Sequence, residues 1–133
     1  MSEIINPQDA ELEEVILGSC LIESKAITLI ADILRPEAFY NEKNLEIYAT
    51  LQSMYRNGQK IDIITVKEEL TRRGKLEFIG GPYTLAHISG RVASSAHLEY
   101  HARILKQKYI RRETILGFHK LCLLYTSDAA DDK

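Results

Sequence analysis

The sequence is poor in several residue types, and each shortage argues against a class of protein. Only two of its 133 residues are cysteines, Cys20 and Cys122, and they form no closely spaced pair. We therefore expect a reducing, cytoplasmic compartment, with Cys20 as a small core residue. No run approaches the roughly 18 consecutive apolar residues of a membrane span. The acidic N-terminus also lacks the basic start of a secretory signal.

Proline and glycine are also scarce, with 3 and 7 residues respectively. This scarcity favours helices with short connections over a sheet of many strands. The chain is long enough for one compact domain with its own core. Its 45% hydrophobic and 27% charged residues are typical of a globular protein.

The net charge of −2 hides an uneven distribution along the chain. Residues 1–60 carry 5 Lys and Arg against 10 Asp and Glu, whereas residues 61–120 carry 11 against 6. Two halves of opposite sign can attract each other within one subunit or between subunits. A dedicated nucleic-acid-binding domain would usually be strongly basic, and this chain is not.

Helix signals predict an all-α fold, a compact domain of about six helices. The expected starts are a capping residue or a proline, at Asn6-Pro7, Ser24, Asp62, Pro82 and Ser95, and a further helix is expected from about Asn41 to Asn57. The expected stops are proline or glycine, at Pro36, Gly58, Gly74 and Gly90. Apolar residues recur at helical spacing between these signals. The last helix, from about Ala96 to Lys120, is the longest.

The last helix carries a row of apolar residues at 4-3-4 spacing, and these are our candidate interaction residues: Leu98, Ala102, Leu105 and Tyr109. Such spacing is typical of a helix that pairs with another helix. If the row is exposed, the purified chain should be weakly dimeric or prone to aggregate. Packing of the same row inside its own domain is the alternative that the sequence leaves open.

The pattern divides the chain into three parts. Residues 1–95 form the compact domain, residues 96–121 form the long helix, and residues 122–133 no longer show an amphipathic pattern. The stretch LLYTSDAADD resembles a translated sequencing adapter. We therefore interpret residues 122–133 as a non-native tail on a truncated reading frame. A frayed, polar C-terminus is the alternative.

Four stretches together carry a family likeness, in the order 14–19 (EVILGS), 32–40 (DILRPEAFY), 61–70 (IDIITVKEEL, followed by GKLE and GG) and 94–105 (SSAHLEYHARIL). In this order and spacing they resemble the N-terminal domain of DnaB-type replicative DNA helicases. The resemblance covers about residues 8–120. No single stretch is decisive, but the ordered set is specific.

The resemblance implies a compact all-α domain followed by a helical hairpin, a linker and a RecA-like ATPase domain. The last helix here would be the first arm of that hairpin. In that family the domains pair through their hairpins, and three pairs form a collar on a hexameric ring that helps to recruit primase. The implied partners are further copies of the chain, primase, and DNA through the parent protein. The parent would bind ATP and Mg²⁺; no membrane partner is implied.

The chain lacks the phosphate-binding loop GxxxxGK[ST] that a helicase motor requires. Its only Gly-Lys pair, Gly74-Lys75, is followed by Leu76 and is better explained as a helix end. We therefore expect no catalytic residue, cofactor site or metal site in this fragment. The fragment itself should not hydrolyse ATP.

Two rival functions stay open. One is a free-standing helical adaptor or helicase-regulating protein that has no motor. The other is a small metal-dependent enzyme built on His97 and His101, which are four residues apart on a helix, with His87 as a third ligand. The local string is not HExxH, so Glu99 lies off the histidine face and cannot act as the usual base.

Two further groups have competing interpretations. Five basic residues of the last helix could contact DNA phosphates, namely Arg103, Lys106, Lys108, Arg111 and Arg112. Their spread over several faces favours solvated positions or pairing with acidic surfaces. Four aromatic residues on apolar faces are expected in the core instead of stacking on bases, namely Phe39, Tyr40, Tyr48 and Tyr55.

Overall fold

A computed structural model of the chain describes residues 7–131, and these residues form six α-helices and no strand. The helices are α1 (Pro7–Ile22), α2 (Ala26–Ile30), α3 (Glu42–Arg56), α4 (Ile63–Arg72), α5 (Pro82–Gly90) and α6 (Leu98–Asp131). A single 3-10 turn, Pro36–Ala38, lies between α2 and α3. The predicted all-α class is confirmed. The predicted cap at Asn6 lies outside the described residues.

Side-chain caps begin two of the helices, at Asn41 and at Asp62, and the cap at Asp62 is the predicted one. The Asn41 side chain accepts hydrogen bonds from the backbone N–H groups of Lys43 and Asn44, at 2.9 and 3.1 Å. Asp62 and Thr65 form a capping box, in which each side chain accepts the other residue's backbone N–H, at 2.8 and 2.9 Å. These bonds satisfy donors that have no partner inside the helix.

Two other predicted caps are wrong. Helix α2 follows Lys25, whose side chain makes no capping hydrogen bond, and not Ser24. Ahead of α6, the hydroxyl that accepts a hydrogen bond belongs to Ser94, which takes the Ala96 N–H at 3.1 Å, and not to Ser95. Serine runs near a helix start offer several equivalent caps, and sequence alone does not rank them.

Helix α6 continues to Asp131, so the predicted end near Lys120 is also wrong. Residues 118–131 contain neither glycine nor proline, and their leucines and alanines are good helix formers. The amphipathic pattern is lost near Cys122, but the helix does not end there. The origin of residues 122–133 stays a hypothesis.

The core lies where α1 to α5 meet the first turns of α6. Its hydrophobic members are aliphatic and aromatic side chains together with Cys20 and Met54, and the largest include Ile16, Leu17, Phe39, Tyr48, Leu51 and Leu70. The rings of Phe39 and Tyr48 stack with centroids 4.7 Å apart. Burial raises the pKa of the Cys20 thiol to about 12, so Cys20 is an inert core residue, as expected.

Helices α1 and α5 approach each other closely at Gly18. A Cβ atom on Gly18 would lie 2.5 Å from Val92 Cγ2 and 2.6 Å from the Ile88 carbonyl oxygen. One turn earlier, the Glu14 carboxylate forms an ion pair with the Arg91 guanidinium. Residues 14–19, one of the stretches that carry the family likeness, therefore form the contact with α5.

A buried carboxylate on α1 connects that helix to the start of α3. Glu13 is 1% exposed, and its Oε2 accepts the Tyr40 backbone N–H at 2.6 Å. Its Oε1 accepts the Asn44 side-chain amide at 2.9 Å and the Asn41 backbone N–H at 3.4 Å. Burial raises the pKa of Glu13, although these hydrogen bonds oppose the rise.

Gly18→Ala is expected to lower the free energy of unfolding by about 1–2 kcal/mol. Overpacking costs about 1–3 kcal/mol, and the better helix propensity of alanine returns up to about 1 kcal/mol. The Ile88 carbonyl is backbone and cannot rotate away. Urea denaturation measures the change. Gly90→Ala is the control, since no atom lies within 4 Å of its Cβ position, and an equal loss in both variants would contradict the steric explanation.

The stability that Glu13 confers should fall as pH rises. Its folded-state pKa is raised above the ordinary value of 4.5, so protonation favours the folded state. The free energy of unfolding of wild type relative to Glu13→Gln is then greatest below about pH 4.5 and declines as pH rises through the folded-state pKa. Denaturation titrations from pH 4 to 8 measure this difference.

Glu11→Gln removes one exposed carboxylate from the same helix and is the control for the overall charge change. The decline should be steeper for the Glu13 comparison than for the Glu11 comparison. A difference between wild type and Glu13→Gln that grows with pH would show that the hydrogen bonds outweigh the cost of burying the charge.

Candidate interaction surface

The four candidate interaction residues lie on the side of α6 that faces the rest of its own domain. Leu98, Ala102 and Leu105 are at most 1% exposed, and Tyr109 is partly buried against the same core. This is the intradomain packing that the sequence left open. Their role in pairing stays a prediction, and in this arrangement only Tyr109 retains accessible surface for it.

The second half of α6 has a different environment. Every residue from 113 to 125 is exposed, although the segment is rich in large apolar side chains. Those at least half exposed from residue 110 onward are Ile110, Ile115, Leu116, Phe118, Leu121, Leu123, Leu124 and Tyr125. Contiguous exposed apolar surface of this kind marks an interaction site.

Three of these side chains lie ahead of residues 122–133 and form one stripe, which we call the outer stripe: Ile110, Phe118 and Leu121. At 100° per residue they lie within about 80° of each other around the helix. The core-facing residues of α6 lie on a different side of the helix, and Leu116 continues that side beyond the point where the domain covers it. The outer stripe is therefore available to a partner while α6 stays packed on its own domain.

A cleft of about 270 Å³ lies between α6 and the segment around the 3-10 turn. Its lining is mostly apolar and aromatic with charged residues among it, and consists of Glu37, Phe39, Tyr40, Arg112, Glu113, Ile115 and Leu116. The cleft thus lies where α6 leaves the domain. The exposed Leu116 borders it.

Arg112 connects α6 to the other wall of this cleft. Its Nη2 donates a hydrogen bond to the Ala38 carbonyl oxygen at 3.3 Å. Its guanidinium carbon lies 5.2 Å from the centroid of the Tyr40 ring and 5.7 Å from that of Tyr109. Both distances are within the range of cation–π attraction.

The aromatic residues divide between the core and the surface. Phe39 and Tyr48 are fully buried, as predicted, but Tyr40 is 45% and Tyr55 38% exposed. The prediction that all four lie in the core is therefore wrong for these two tyrosines. Phe39 and Tyr40 are neighbours in a turn, so their side chains point in different directions.

Two of the five basic residues of α6 named above, Arg103 and Arg112, make contacts within the chain. Arg103 donates to Glu99 one turn earlier, at 2.9 Å, and Arg112 makes the contacts described above. These contacts agree with the solvated or paired positions favoured by the sequence. Direct contact with DNA phosphates stays a hypothesis.

The histidines do not converge on one site. The rings of His97 and His101 have centroids 6.3 Å apart, while His87 stacks on Tyr83 at 5.9 Å. Burial and the neighbouring His97 lower the pKa of His101. Among the residues whose side chains the structure describes, no group of three or more His, Cys, Asp or Glu could hold a metal ion.

The Gly-Lys pair forms a helix terminus. Gly74 follows α4 with a φ of +71°, which glycine adopts without strain. Lys75 forms an ion pair with Glu46 at 3.8 Å and lies over the Phe78 ring.

None of the helices in the described part of the chain combines the length and apolarity that a membrane crossing requires.

Comparison with known proteins identifies a family. Residues 5–107 match the family model of the DnaB-like helicase N-terminal domain. The replicative DNA helicase DnaB of Rhodothermus marinus is 43% identical over 108 residues, and the replicative DNA helicase DnaC of Bacillus subtilis is 33% identical over 119 residues. These alignments include 81% and 86% of this chain but only 12% and 26% of the relatives, so the chain spans about a quarter of their length or less.

Solved structures share the fold. The crystal structure of the N-terminal domain of DnaB helicase from Mycobacterium tuberculosis superposes with a TM-score of 0.82 at 32% identity, covering 88% of this chain and 85% of that one. A structure described as a DnaB-like replicative helicase and its interactions with primase gives a TM-score of 0.75 at 29% identity, covering 85% of this chain and 27% of that one. The chain belongs to the family of DnaB-like replicative helicase N-terminal domains.

Proposed function

We propose that this chain is the assembly and primase-docking domain of a replicative DNA helicase. It pairs with further copies of itself, and three pairs form a collar on a hexameric ring. The parent protein unwinds duplex DNA at the replication fork in the cytoplasm, with ATP and Mg²⁺ bound by its motor. The observation that carries the proposal is the exposed apolar surface of α6 in a member of this family.

The size of that surface supports assembly. Ahead of residues 122–133, five large apolar side chains of α6 are at least half exposed, namely Ile110, Ile115, Leu116, Phe118 and Leu121. Burial of one such side chain contributes about 1.5–3 kcal/mol, so a partner helix that covers only part of the surface gains enough to associate. The long α6 also needs such a partner, because its residues from 113 to 125 are exposed and gain little stability from packing on their own domain.

Primase as a partner is supported by the second solved structure, which concerns a related helicase and its interactions with primase. The absence of GxxxxGK[ST] from the sequence supports a binding role for this chain, without catalytic, cofactor or metal residues of its own. In this proposal ATP hydrolysis and DNA unwinding belong to the parent protein.

The chain is expected to self-associate through the outer stripe. Phe118→Ser should weaken self-association about 30-fold for each copy of Phe118 that the pair buries, because the burial of one phenylalanine contributes about 2 kcal/mol. Sedimentation equilibrium over a range of concentrations measures the dissociation constant. His119→Ser is the matched control, since it is the next exposed residue and lies 100° further around the helix. A wild-type chain that remains monomeric at high concentration would contradict the assembly role.

Primase is expected to bind the folded chain with a measurable, saturable affinity. Isothermal titration with the primase of the source organism, followed by size-exclusion chromatography, tests this. The thermally unfolded chain is the control, because docking requires a folded surface. Absence of both heat and a co-eluting complex, with the chain shown to be folded by circular dichroism, would reject primase docking while leaving assembly intact.

A further inference from the structure

The position of Arg112 is the point at which α6 leaves its domain. Among the α6 residues whose side chains the structure describes, Arg112 is the last that is partly buried, and every residue from 113 to 125 is exposed. We call residues 113–125 the free arm. Up to Tyr109 the helix is held by apolar packing in the core, so the direction of the free arm depends on the contacts made at its base.

Arg112 makes the hydrogen-bonding and cation–π contacts there with one guanidinium group, while Ile115 and Leu116 line the same cleft. It donates a hydrogen bond to the Ala38 carbonyl at 3.3 Å and lies over the Tyr40 ring across the cleft. It also lies over Tyr109, one turn earlier on the same helix. A planar guanidinium can stack on a ring and donate a hydrogen bond in its own plane at the same time, which an ammonium group cannot do.

The opposite wall of the cleft is itself fixed from α1. The buried Glu13 carboxylate accepts the backbone N–H groups of Tyr40 and Asn41. Ala38 is 2% and Phe39 1% exposed, so this segment is embedded in the core. Arg112 therefore contacts a segment that is held in the core and not a loosely packed loop.

We propose that Arg112 is a positioning residue that fixes the direction in which the free arm leaves the domain, by joining it to Ala38 and Tyr40. The inference rests on the proposed function, because it assigns the outer stripe a fixed orientation toward a partner. Without this contact the helix remains attached through Leu98, Ala102 and Leu105, but the free arm samples a range of directions. Pairing then requires the arm to be ordered first, which weakens association.

The direction of the arm can be measured as a distance within one chain. Spin labels at Glu68→Cys on α4 and Lys120→Cys on the free arm, both exposed, report the distance by pulsed electron paramagnetic resonance. The background carries Cys122→Ser, while Cys20 is buried. Labelled chains are diluted with an excess of unlabelled chains, so that only distances within one chain contribute.

Wild type is expected to give one narrow distance distribution, and Arg112→Ala a distribution at least twofold broader. Arg112→Lys, which keeps the charge, should be intermediate. The matched control is Arg111→Ala, an exposed neighbour, which should keep the narrow distribution. The thermal midpoint of the domain should stay unchanged in Arg112→Ala, because its core is intact.

Tyr40→Leu provides a second, independent variant. It removes the ring that receives Arg112 but keeps the backbone N–H that Glu13 accepts, and Tyr40 is 45% exposed. Tyr40→Leu should broaden the distance distribution as Arg112→Ala does. If Arg112→Ala lowers the thermal midpoint, the distribution of Tyr40→Leu becomes the test of the proposal. A narrow, wild-type distribution in Tyr40→Leu and in folded Arg112→Ala would overturn the proposal.

This outcome is separate from the test of assembly. The distance is measured within one chain, so it reports on Arg112 even if the chain neither self-associates nor binds primase. If assembly also holds, Arg112→Ala should weaken self-association about tenfold, with partial recovery in Arg112→Lys. If the distance distribution of Arg112→Ala broadens but its self-association is unchanged, the inference that arm orientation serves pairing is overturned.

Discussion

The buried carboxylate of Glu13 determines how the surface segments of this domain are arranged. A charged group can be buried only where donors satisfy it, and Glu13 draws its donors from Tyr40, Asn41 and Asn44. The segment between α2 and α3 is consequently held against α1. That segment forms one wall of the cleft, and the wall receives Arg112 from α6. The geometry at the surface thus depends on one interaction inside the core.

Features that depend on neighbouring residues could be predicted from the sequence. Asn41, Asp62 and Gly74 act at helix ends through their own side chains or backbone conformation, so their residue types are sufficient evidence. The all-α class follows from several such signals together. The family likeness was also sound, since the ordered stretches fall within residues 5–107 or close to them.

Features that depend on distant residues could not be predicted in this way. An acidic residue near a helix start is usually solvated, and the burial of Glu13 arises from partners 27–31 residues away. Periodicity shows that the row Leu98, Ala102, Leu105 and Tyr109 is covered, but not whether its own domain or a second chain covers it. Tyr40 and Phe39 are adjacent aromatics, and only the path of the turn determines which of them is buried.

The same helix serves two environments in succession. Its first turns complete the core of the domain, and its later turns present apolar side chains to solvent. The position of the exposed surface therefore depends on the fold of the domain. A loss of packing in the first turns of α6 would also displace the apolar side chains of its later turns. The comparison structures support the packed part of this arrangement, since they superpose over 85–88% of the chain.

The length of α6 has a mechanical consequence. From Arg112 to Leu121, ahead of the suspected non-native tail, the helix extends for about 14 Å at 1.5 Å per residue. A tilt of 10° at Arg112 would therefore displace Leu121 by about 2 Å. A change of angle at the base of α6 thus becomes a displacement of the apolar side chains that a partner helix would have to match.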